Sequence, residues 1–206
     1  MSHPSLSPTT ANLCQYLQVD NVIDWQHPEV MALAQRIGQA CDDPTAIAQA
    51  CFEWVRDEIR HSVDYQMNPV TCRASEVLKH RTGYCFAKSH LLAALLRANQ
   101  IPAGFCYQRL SIDDVGFPYS LHGFNAVYLP AIGWYRVDAR GNKPGVAAHF
   151  TPPQEQLAYA IRFAEEADYP EIWPTPLPRV IAALQAHATW DGLLRELPDV
   201  PVEMSA

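Results

Sequence analysis

Hydrophobic side chains follow two different periods along the 206 residues of this chain. In the first hundred residues they recur every three or four positions, as they do on one face of a helix. Together with the start signals Pro28 and Asp43-Pro44, this pattern predicts helices over 28–40 and from Asp43 to about residue 60. A shorter helix is predicted at 73–80.

The segment from Cys85 to Asn99 is the most apolar stretch, with leucine and alanine in almost every direction around a helix. Such a helix is buried on several sides. After Pro102, apolar and polar residues alternate instead, which is typical of strands. The predicted strands lie near 103–110, 121–129 and 134–138. Helices followed by an antiparallel meander indicate an α+β fold, in which the buried helix packs on the sheet.

The last third of the chain is rich in proline, with nine of the 17 prolines at residue 144 or later. Alternating apolar residues predict a further strand at 157–163, and a last helix is predicted at 179–195. We expect the first 27 residues to be extended or loosely packed. The expected organisation is a single domain over 1–206, with a core at about 45–140, an N-terminal helical arm over 1–44 and a proline-rich C-terminal extension over 144–206.

The overall charge of the chain bears on which classes of molecule it can bind. Fifteen Lys and Arg against 22 Asp and Glu give a formal charge of −7 and a pI of about 5.5. This balance argues against binding to nucleic acid or to anionic lipid, which both need a basic surface. The sequence begins without the pattern of a signal peptide, and it contains no run of about 18 apolar residues. We therefore expect a cytoplasmic protein with reduced thiols and no membrane partner.

One of the six cysteines stands apart from the others. The spacing of the six excludes a zinc ribbon and a dithiol redox site, and neither a metal nor a cofactor is expected. Cys85 opens the buried helix, where the positive end of the helix dipole favours the nucleophilic thiolate. Segment 73–90 adds a local excess of three positive charges, carried by Arg73, Lys79, Arg81 and Lys88 against Glu76.

A thiolate nucleophile also needs an imidazole that shares its proton and a carboxylate or amide that holds the imidazole. His122 starts one predicted strand, and Asp138 ends the next. In a hairpin, the side chains of residues 122 and 138 lie on the same face only if the residue numbers of each cross-strand pair add up to an even number. A five-residue turn over 129–133 gives 262 and satisfies this, whereas a four-residue turn over 130–133 gives 263 and does not. We predict the five-residue turn or a bulged strand.

Four blocks of this sequence resemble one known family. They are 83–85 (Gly-Tyr-Cys), 92–103 (Leu-Ala-Ala-Leu-Leu-Arg-Ala-Asn-Gln-Ile-Pro-Ala), His122 with 127–129 (Val-Tyr-Leu), and 133–138 (Gly-Trp-Tyr-Arg-Val-Asp). Over roughly 45–140 the chain resembles the transglutaminase-like superfamily, in its bacterial stand-alone form. Three places depart from the family's usual pattern and bear on the choice of substrate and acceptor: Phe86, Asn99-Gln100 and Ala139-Arg140-Gly141.

The resemblance implies a papain-like α+β fold with Cys85 as nucleophile, His122 as general acid and base, and Asp138 as the residue that orients His122. It also implies acyl transfer through a thioester on Cys85. We favour hydrolysis of an amide, as by a peptidase or amidase, with a peptide or a small amide or ester as substrate. A transamidase or acetyltransferase with an amine acceptor, and a non-catalytic binding module on the same fold, stay open.

Other residues are candidates for binding the substrate. The backbone N–H of the nucleophile is unpaired at a helix start, so it is the expected first donor to an oxyanion. Tyr84, His80 and Asn68 are candidates for a second donor, and Trp134 either lines an acyl pocket or packs in the sheet. His61 follows a predicted helix and is interpreted as a helix-end residue that interacts with the helix dipole.

Overall fold

A computed structural model describes residues 5–201, so the outer ends of the predicted arm and extension, 1–4 and 202–206, lie outside the described residues. The helices are α1 (Pro28–Gly38), α2 (Pro44–Glu58), α3 (Ala74–His80), α4 (Cys85–Ala98), α5 (Pro178–Ala186) and α6 (Trp190–Leu194), with a 3-10 helix at Leu13–Leu17. The strands are β1 (Ser7–Pro8), β2 (Arg60–His61), β3 (Thr82–Gly83), β4 (Ala103–Ser111), β5 (Tyr119–Leu129), β6 (Gly133–Val137), β7 (His149–Thr151), β8 (Gln154–Gln156), β9 (Ala167–Asp168) and β10 (Glu171–Ile172). The mixture of helices with an antiparallel sheet confirms the α+β class.

Helix α4 is the centre of the core, as its composition predicts. Its side chains from Leu91 to Leu96 are all at most 1% exposed. Helices α1, α2 and α3 pack around it, and β5 packs on its remaining side. Helix α2 begins where predicted, because the Asp43 carboxylate accepts hydrogen bonds from the N–H groups of Thr45 and Ala46 at 2.7 and 3.0 Å. None of the helices in residues 5–201 is long and apolar enough to span a membrane.

The main sheet has the strand order β6-β5-β4-β9 and contains the three predicted strands as its first three members. Strands β4 and β5 pair over nine positions, from Ala103 opposite Val127 to Ser111 opposite Tyr119. The remaining strands are short. They form two parallel pairs, β1 with β10 and β2 with β3, and one antiparallel hairpin, β7 with β8.

The N-terminal arm is anchored to the core at a few positions, although most of its residues in 5–27 are exposed or half-buried. Tyr16 and Ile23 are both completely buried. Arg97, near the end of α4, donates hydrogen bonds to the carbonyl groups of Gln18 at 2.7 Å and Pro174 at 2.6 Å. This one buried guanidinium therefore links the arm, the central helix and the C-terminal extension.

The strand predicted at 157–163 is wrong. Its backbone groups bond to side chains instead of a neighbouring strand: the N–H of Ala158 donates to the Asp138 carboxylate at 3.1 Å, and the carbonyl of Tyr159 accepts from Gln108 at 3.5 Å. Leu157 and Tyr159 are partly buried against the core, whereas Ile161 is exposed, so the alternation of apolar residues does not mark one buried face.

The helix predicted at 179–195 is interrupted at 187–189, which separates α5 from α6. At the interruption, the carbonyl of Ala188 accepts a hydrogen bond from Val70 N–H at 3.3 Å. The Asn68 side chain accepts a second one from Trp190 N–H, at the start of α6, at 2.7 Å. Contacts with a distant loop therefore end the first helix and start the second.

Candidate active site

Cys85 is the first residue of α4, as predicted, and is 9% exposed. The preceding strand β3 is held by β2, with Gly83 opposite His61. The N–H of Ser62 donates to the carbonyl of Gly83 at 3.1 Å, which fixes the chain two residues before the thiol. The start of α4 is thus a defined position in the fold and not a frayed helix end.

A close approach brings this helix start to strand β5. A Cβ atom at Gly123 would lie 2.6 Å from Cδ1 of Phe86, so only glycine allows the Phe86 ring to lie against the strand. Gly123 follows His122 directly, and Phe86 follows Cys85. The contact therefore sets Cys85 and His122 side by side.

The register of β5 and β6 places His122 and Asp138 on one face. Leu129 pairs with Gly133, which gives the predicted sum of 262 without a bulge. Nε2 of His122 lies 2.7 Å from Oδ2 of Asp138. Because Nε2 is engaged by the carboxylate, Nδ1 is the ring nitrogen available to the thiol of Cys85.

The charge state of His122 depends on both neighbours. Burial opposes a positive charge on the ring, which is 6% exposed. The negative charge of Asp138 and the interaction with Cys85 outweigh burial and raise the pKa of His122 to about 10. At neutral pH the ring is therefore positively charged.

Asp138 is fully buried and has the hydrogen bonds that a buried carboxylate needs. Besides His122, it accepts from the backbone N–H groups of Arg140 and Ala158, both at 3.1 Å. Burial alone would raise the pKa of Asp138, but these donors and the His122 charge lower it. The irregular segment 157–163 thus has a defined task, since it supplies one of the donors.

A second histidine–aspartate pair, which the sequence did not reveal, lies near the start of α4, because His61 pairs with Gly83. His61 is 8% exposed, and its Nδ1 lies 3.8 Å from Oδ2 of Asp64. Asp64 is bound by both guanidinium nitrogens of Arg140 and by Nζ of Lys143 at 2.7 Å. Although burial opposes it, these cations lower the pKa of Asp64 to about 2.

His61 has the opposite charge preference from His122. Burial and the positive charge of Arg140 hold its pKa well below the usual range, and Asp64 only partly compensates. His61 is therefore neutral at neutral pH. It is a strand residue beside the nucleophile, so its interpretation as a helix-end residue is wrong. A buried histidine opposite Gly83 has no local sequence signal, because the pairing joins residues 22 positions apart.

The thiol opens into a cavity of about 400 Å³. His61, His122, Arg140 and Tyr159 all line it. The ring of Tyr159 packs edge-on against His122 with the ring centres 5.0 Å apart, so it covers the imidazole. In residues 5–201 no three histidine, cysteine or carboxylate side chains are grouped as a metal site requires.

Of the four other candidates for substrate binding, only Tyr84 lines this cavity. Its hydroxyl donates to the carbonyl of Trp190, so it is engaged within the protein. Asn68 caps α6, and His80 is exposed at the end of α3. Trp134 packs against Tyr16, with ring centres 4.6 Å apart, and is not among the residues that line the cavity. The structure thus places Asn68 and His80 away from the cavity, and of the two alternatives for Trp134 it shows packing in the sheet.

The basic residues of segment 73–90 do not surround the thiol either. Arg73 and Lys79 are exposed, and Arg81 lies over the ring of Trp54 at 4.8 Å. Only Lys88 is buried, and it donates to backbone carbonyls at the end of α2. The positive charges at the cavity come from later in the chain.

These elements match a known family. A family model described as the transglutaminase-like superfamily matches residues 31–139. The chain belongs to the transglutaminase-like superfamily. The match begins in α1 and ends one residue after Asp138, so it contains Cys85, His122 and Asp138. The match does not include the chain after residue 139.

Two solved structures are similar to part of this chain. A candidate cysteine protease from Cytophaga hutchinsonii has 19% sequence identity and a TM-score of 0.52, over 64% of this chain and 43% of that one. The periplasmic domain of TgpA from Pseudomonas aeruginosa has 22% identity and a TM-score of 0.46, over 62% of this chain and 46% of that one. The chain thus matches less than half the length of these structures. No curated protein matches it significantly.

The three departures from the family pattern have structural roles in this transglutaminase-like chain. Phe86 packs against Gly123. The Asn99 side chain donates to the carbonyl of Ala34 at 3.1 Å and so joins the ends of α4 and α1. Arg140 binds Asp64. Only the change at 139–141 adds a charged side chain to the cavity wall.

Proposed function

We propose that this transglutaminase-like protein is a cysteine-dependent acyl-transfer enzyme that hydrolyses an amide through a thioester on Cys85. The observation that carries the proposal is the position of His122. Its ring is bound by Asp138 at 2.7 Å, and the Cys85 thiolate contributes to its raised pKa. A thiolate–imidazolium pair held by a buried carboxylate has the arrangement that activates a cysteine nucleophile.

In the first half of the reaction, the Cys85 sulfur attacks the carbonyl carbon of the amide. The C=O electron pair moves to the oxygen, and the N–H of Cys85 at the start of α4 donates to that oxyanion. His122 then gives its proton to the amide nitrogen, the C–N bond breaks, and the amine leaves. The product is a thioester on Cys85, with a neutral His122.

In the second half, His122 takes a proton from a water molecule while the water oxygen attacks the thioester carbon. The C–S bond breaks, which releases the acid and restores the thiolate and the imidazolium. Asp138 keeps the ring orientation through both halves. Water is the acceptor of this proposal because it needs no binding site of its own in a cavity that opens to solvent.

His61 supports the same chemistry from the opposite wall. Because its pKa is held low by burial and by Arg140, it does not compete with His122 for the proton. A neutral imidazole can still hydrogen-bond to the reacting group. We assign His61 the role of second donor to the oxyanion, for which Tyr84, His80 and Asn68 were the candidates from the sequence.

The test is a library of fluorogenic amides and esters, assayed with the native chain, with Cys85→Ala and with Cys14→Ser, the matched control at an exposed cysteine. We expect turnover by the native chain and by Cys14→Ser, and none by Cys85→Ala. Mass spectrometry is expected to find an acyl group on Cys85. Absence of any adduct across the library would favour a non-catalytic module, and an adduct released only by added amine would favour a transferase.

A further inference from the structure

The C-terminal segment 187–201, called the strap below, forms part of the cavity wall. It lies beyond the residues 31–139 that the family model matches. Leu194 and Leu197 of the strap line the same cavity as Cys85 and His122. Leu193 is completely buried, so the strap is packed into the core and not merely laid over the surface.

The strap occupies a strand edge beside the catalytic histidine. Strand β6 pairs with β5 only from Asn125 to Leu129, so within the described chain residues 119–124 have no β6 neighbour. The strap fills part of this edge, because the carbonyl of Pro198 accepts a hydrogen bond from Leu121 N–H at 2.8 Å. Leu121 directly precedes His122.

Side chains hold the strap in this position. Nε and Nη2 of Arg109 each lie 2.7 Å from an oxygen of the Asp199 carboxylate, a two-point ion pair. Arg179 donates to the backbone carbonyl of Asp199 at 2.8 Å, and the hydroxyl of Tyr169 donates to the carbonyl of Val200. Charge-assisted pairs of this geometry are the stronger hydrogen bonds of a protein surface.

This arrangement limits what can reach the thiol. An extended polypeptide binds to an enzyme or a sheet by hydrogen bonds to a free strand edge. Here the strap's own backbone uses the edge beside His122. The remaining cavity of about 400 Å³ lies near the lower end of the range of about 300–1,000 Å³ that small-molecule sites have.

We propose that the strap sets the size of the substrate: the cavity admits the acyl group of a small amide or ester and excludes an extended polypeptide. This inference rests on the proposed function, since it takes Cys85 as the nucleophile. Leu194 and Leu197 give the strap side of the cavity an apolar surface. The Arg109–Asp199 pair keeps the wall closed.

The test compares two thiol reagents at Cys85, iodoacetamide and a maleimide that carries a long poly(ethylene glycol) chain. Rate constants are measured at the Cys85 peptide by mass spectrometry for the native chain, for Asp199→Ala and for Glu196→Ala. Glu196 is the matched control, because it lies on the strap with a side chain that is 75% exposed. Exchange of the Leu121 amide hydrogen reports whether the strap has detached.

We expect the native chain to exclude the polymer reagent from Cys85 and to react with iodoacetamide. Loss of the two-point ion pair in Asp199→Ala is expected to raise the polymer-to-iodoacetamide rate ratio by about tenfold, with faster exchange at Leu121. Glu196→Ala is expected to keep the native ratio. If Leu121 exchange stays slow in Asp199→Ala, adding Tyr169→Phe removes a second anchor.

A native ratio as high as that of the exposed Cys14 would overturn the inference. So would an unchanged ratio in a variant whose Leu121 amide exchanges fast. The proposed function fails in a different way, if iodoacetamide reacts no faster with Cys85 than with Cys14. A detached variant that hydrolyses an unfolded polypeptide, which the native chain leaves intact, would support both.

Discussion

The two walls of the cavity each carry a histidine beside an aspartate, yet the two imidazoles have opposite charge preferences. On the sheet side, Nε2 of His122 lies 2.7 Å from Asp138, and the pKa of His122 is raised. On the opposite side, Nδ1 of His61 lies 3.8 Å from Asp64, and the pKa of His61 is lowered. Both rings are over nine-tenths buried, so burial does not explain the difference.

The difference lies in what else each carboxylate binds. Apart from His122, the donors to Asp138 within residues 5–201 are neutral backbone N–H groups, so no other cation is hydrogen-bonded to its carboxylate. Asp64 is neutralised by Arg140 and Lys143, and Arg140 also repels a proton on His61. The effect of a nearby carboxylate on the pKa of a histidine therefore depends on what else that carboxylate binds. In the proposed mechanism, His122 is the proton carrier and His61 is a neutral polar group.

The largest expected effect comes from Asp138→Asn, which removes the negative charge that holds the proton on His122. We expect kcat/KM for a fluorogenic substrate to fall by roughly a thousand- to ten-thousandfold, because the ring loses both its orientation and its charge partner. The pKa of His122, followed by NMR, is expected to fall. The matched change on the other wall, Asp64→Asn, is expected to cost far less activity. Equal losses in the two variants would contradict the assigned division of roles.

A smaller effect is expected from His61→Ala. We expect kcat/KM to fall by about a hundredfold, as for loss of one polar group beside the reacting carbonyl. The rate of alkylation of Cys85 by iodoacetamide should stay within about twofold of the native rate, since His122 and not His61 maintains the thiolate. His61→Gln, which keeps a polar side chain, is expected to restore part of the activity. A parallel loss of alkylation would make His61 a structural residue only.

The acid side of the stability profile tests the neutral state of His61. An unfolded histidine binds a proton below about pH 6.5, whereas folded His61 does not, so the free energy of unfolding should fall as the pH decreases through about 6.5 to 5. His90 acts in the same direction, because burial lowers its pKa to about 4. His122 contributes in the opposite sense, with stabilisation that is present below about pH 6.5 and lost toward about pH 10.

In His61→Gln, the free energy of unfolding measured by urea denaturation should fall less steeply as the pH decreases. The slope is expected to be smaller by the contribution of one proton, about 1.4 kcal/mol per pH unit. The carboxylates with lowered pKa values titrate below this window, so they do not obscure it. An unchanged slope would mean that folded His61 binds a proton as readily as the unfolded chain does.

The smallest effect is expected from Lys143→Gln on the His61 side. Lys143 is 41% exposed, so its loss should change the free energy of unfolding by no more than about 1 kcal/mol. With one cation fewer on Asp64, the pKa of His61 should move upward, as measured by NMR titration. A downward movement would show that the neutralisation of Asp64 does not control His61.

The sequence was sufficient to predict the elements in which apolar residues recur regularly over many positions. Helix α4 and strands β4 to β6 were predictable because their apolar patterns are long, and the even-sum argument predicted that His122 and Asp138 share a face. The positions of Cys85, His122 and Asp138 follow from these elements. Their catalytic roles, and a cytoplasmic location, stay predictions.

The remainder depends on contacts between distant segments. His61 reaches the site through a two-residue strand pair with Gly83, which is too short to leave a period. Segment 157–163 is irregular because the N–H of Ala158 donates to the Asp138 carboxylate and not to a neighbouring strand. The prediction that segment 73–90 supplies the positive charge at Cys85 was wrong for the same reason. Arg140 is closer to the site in space than Arg73 or Lys79, although these two lie nearer to Cys85 in sequence.

The most direct test of the central claim is the rate of alkylation of Cys85 by iodoacetamide at neutral pH, compared with the exposed Cys14 in the same molecule. If Cys85 and His122 form a thiolate–imidazolium pair, the thiol that is 9% exposed reacts faster than the exposed one, and His122→Ala abolishes the difference. A Cys85 that reacts no faster than Cys14 would contradict the account.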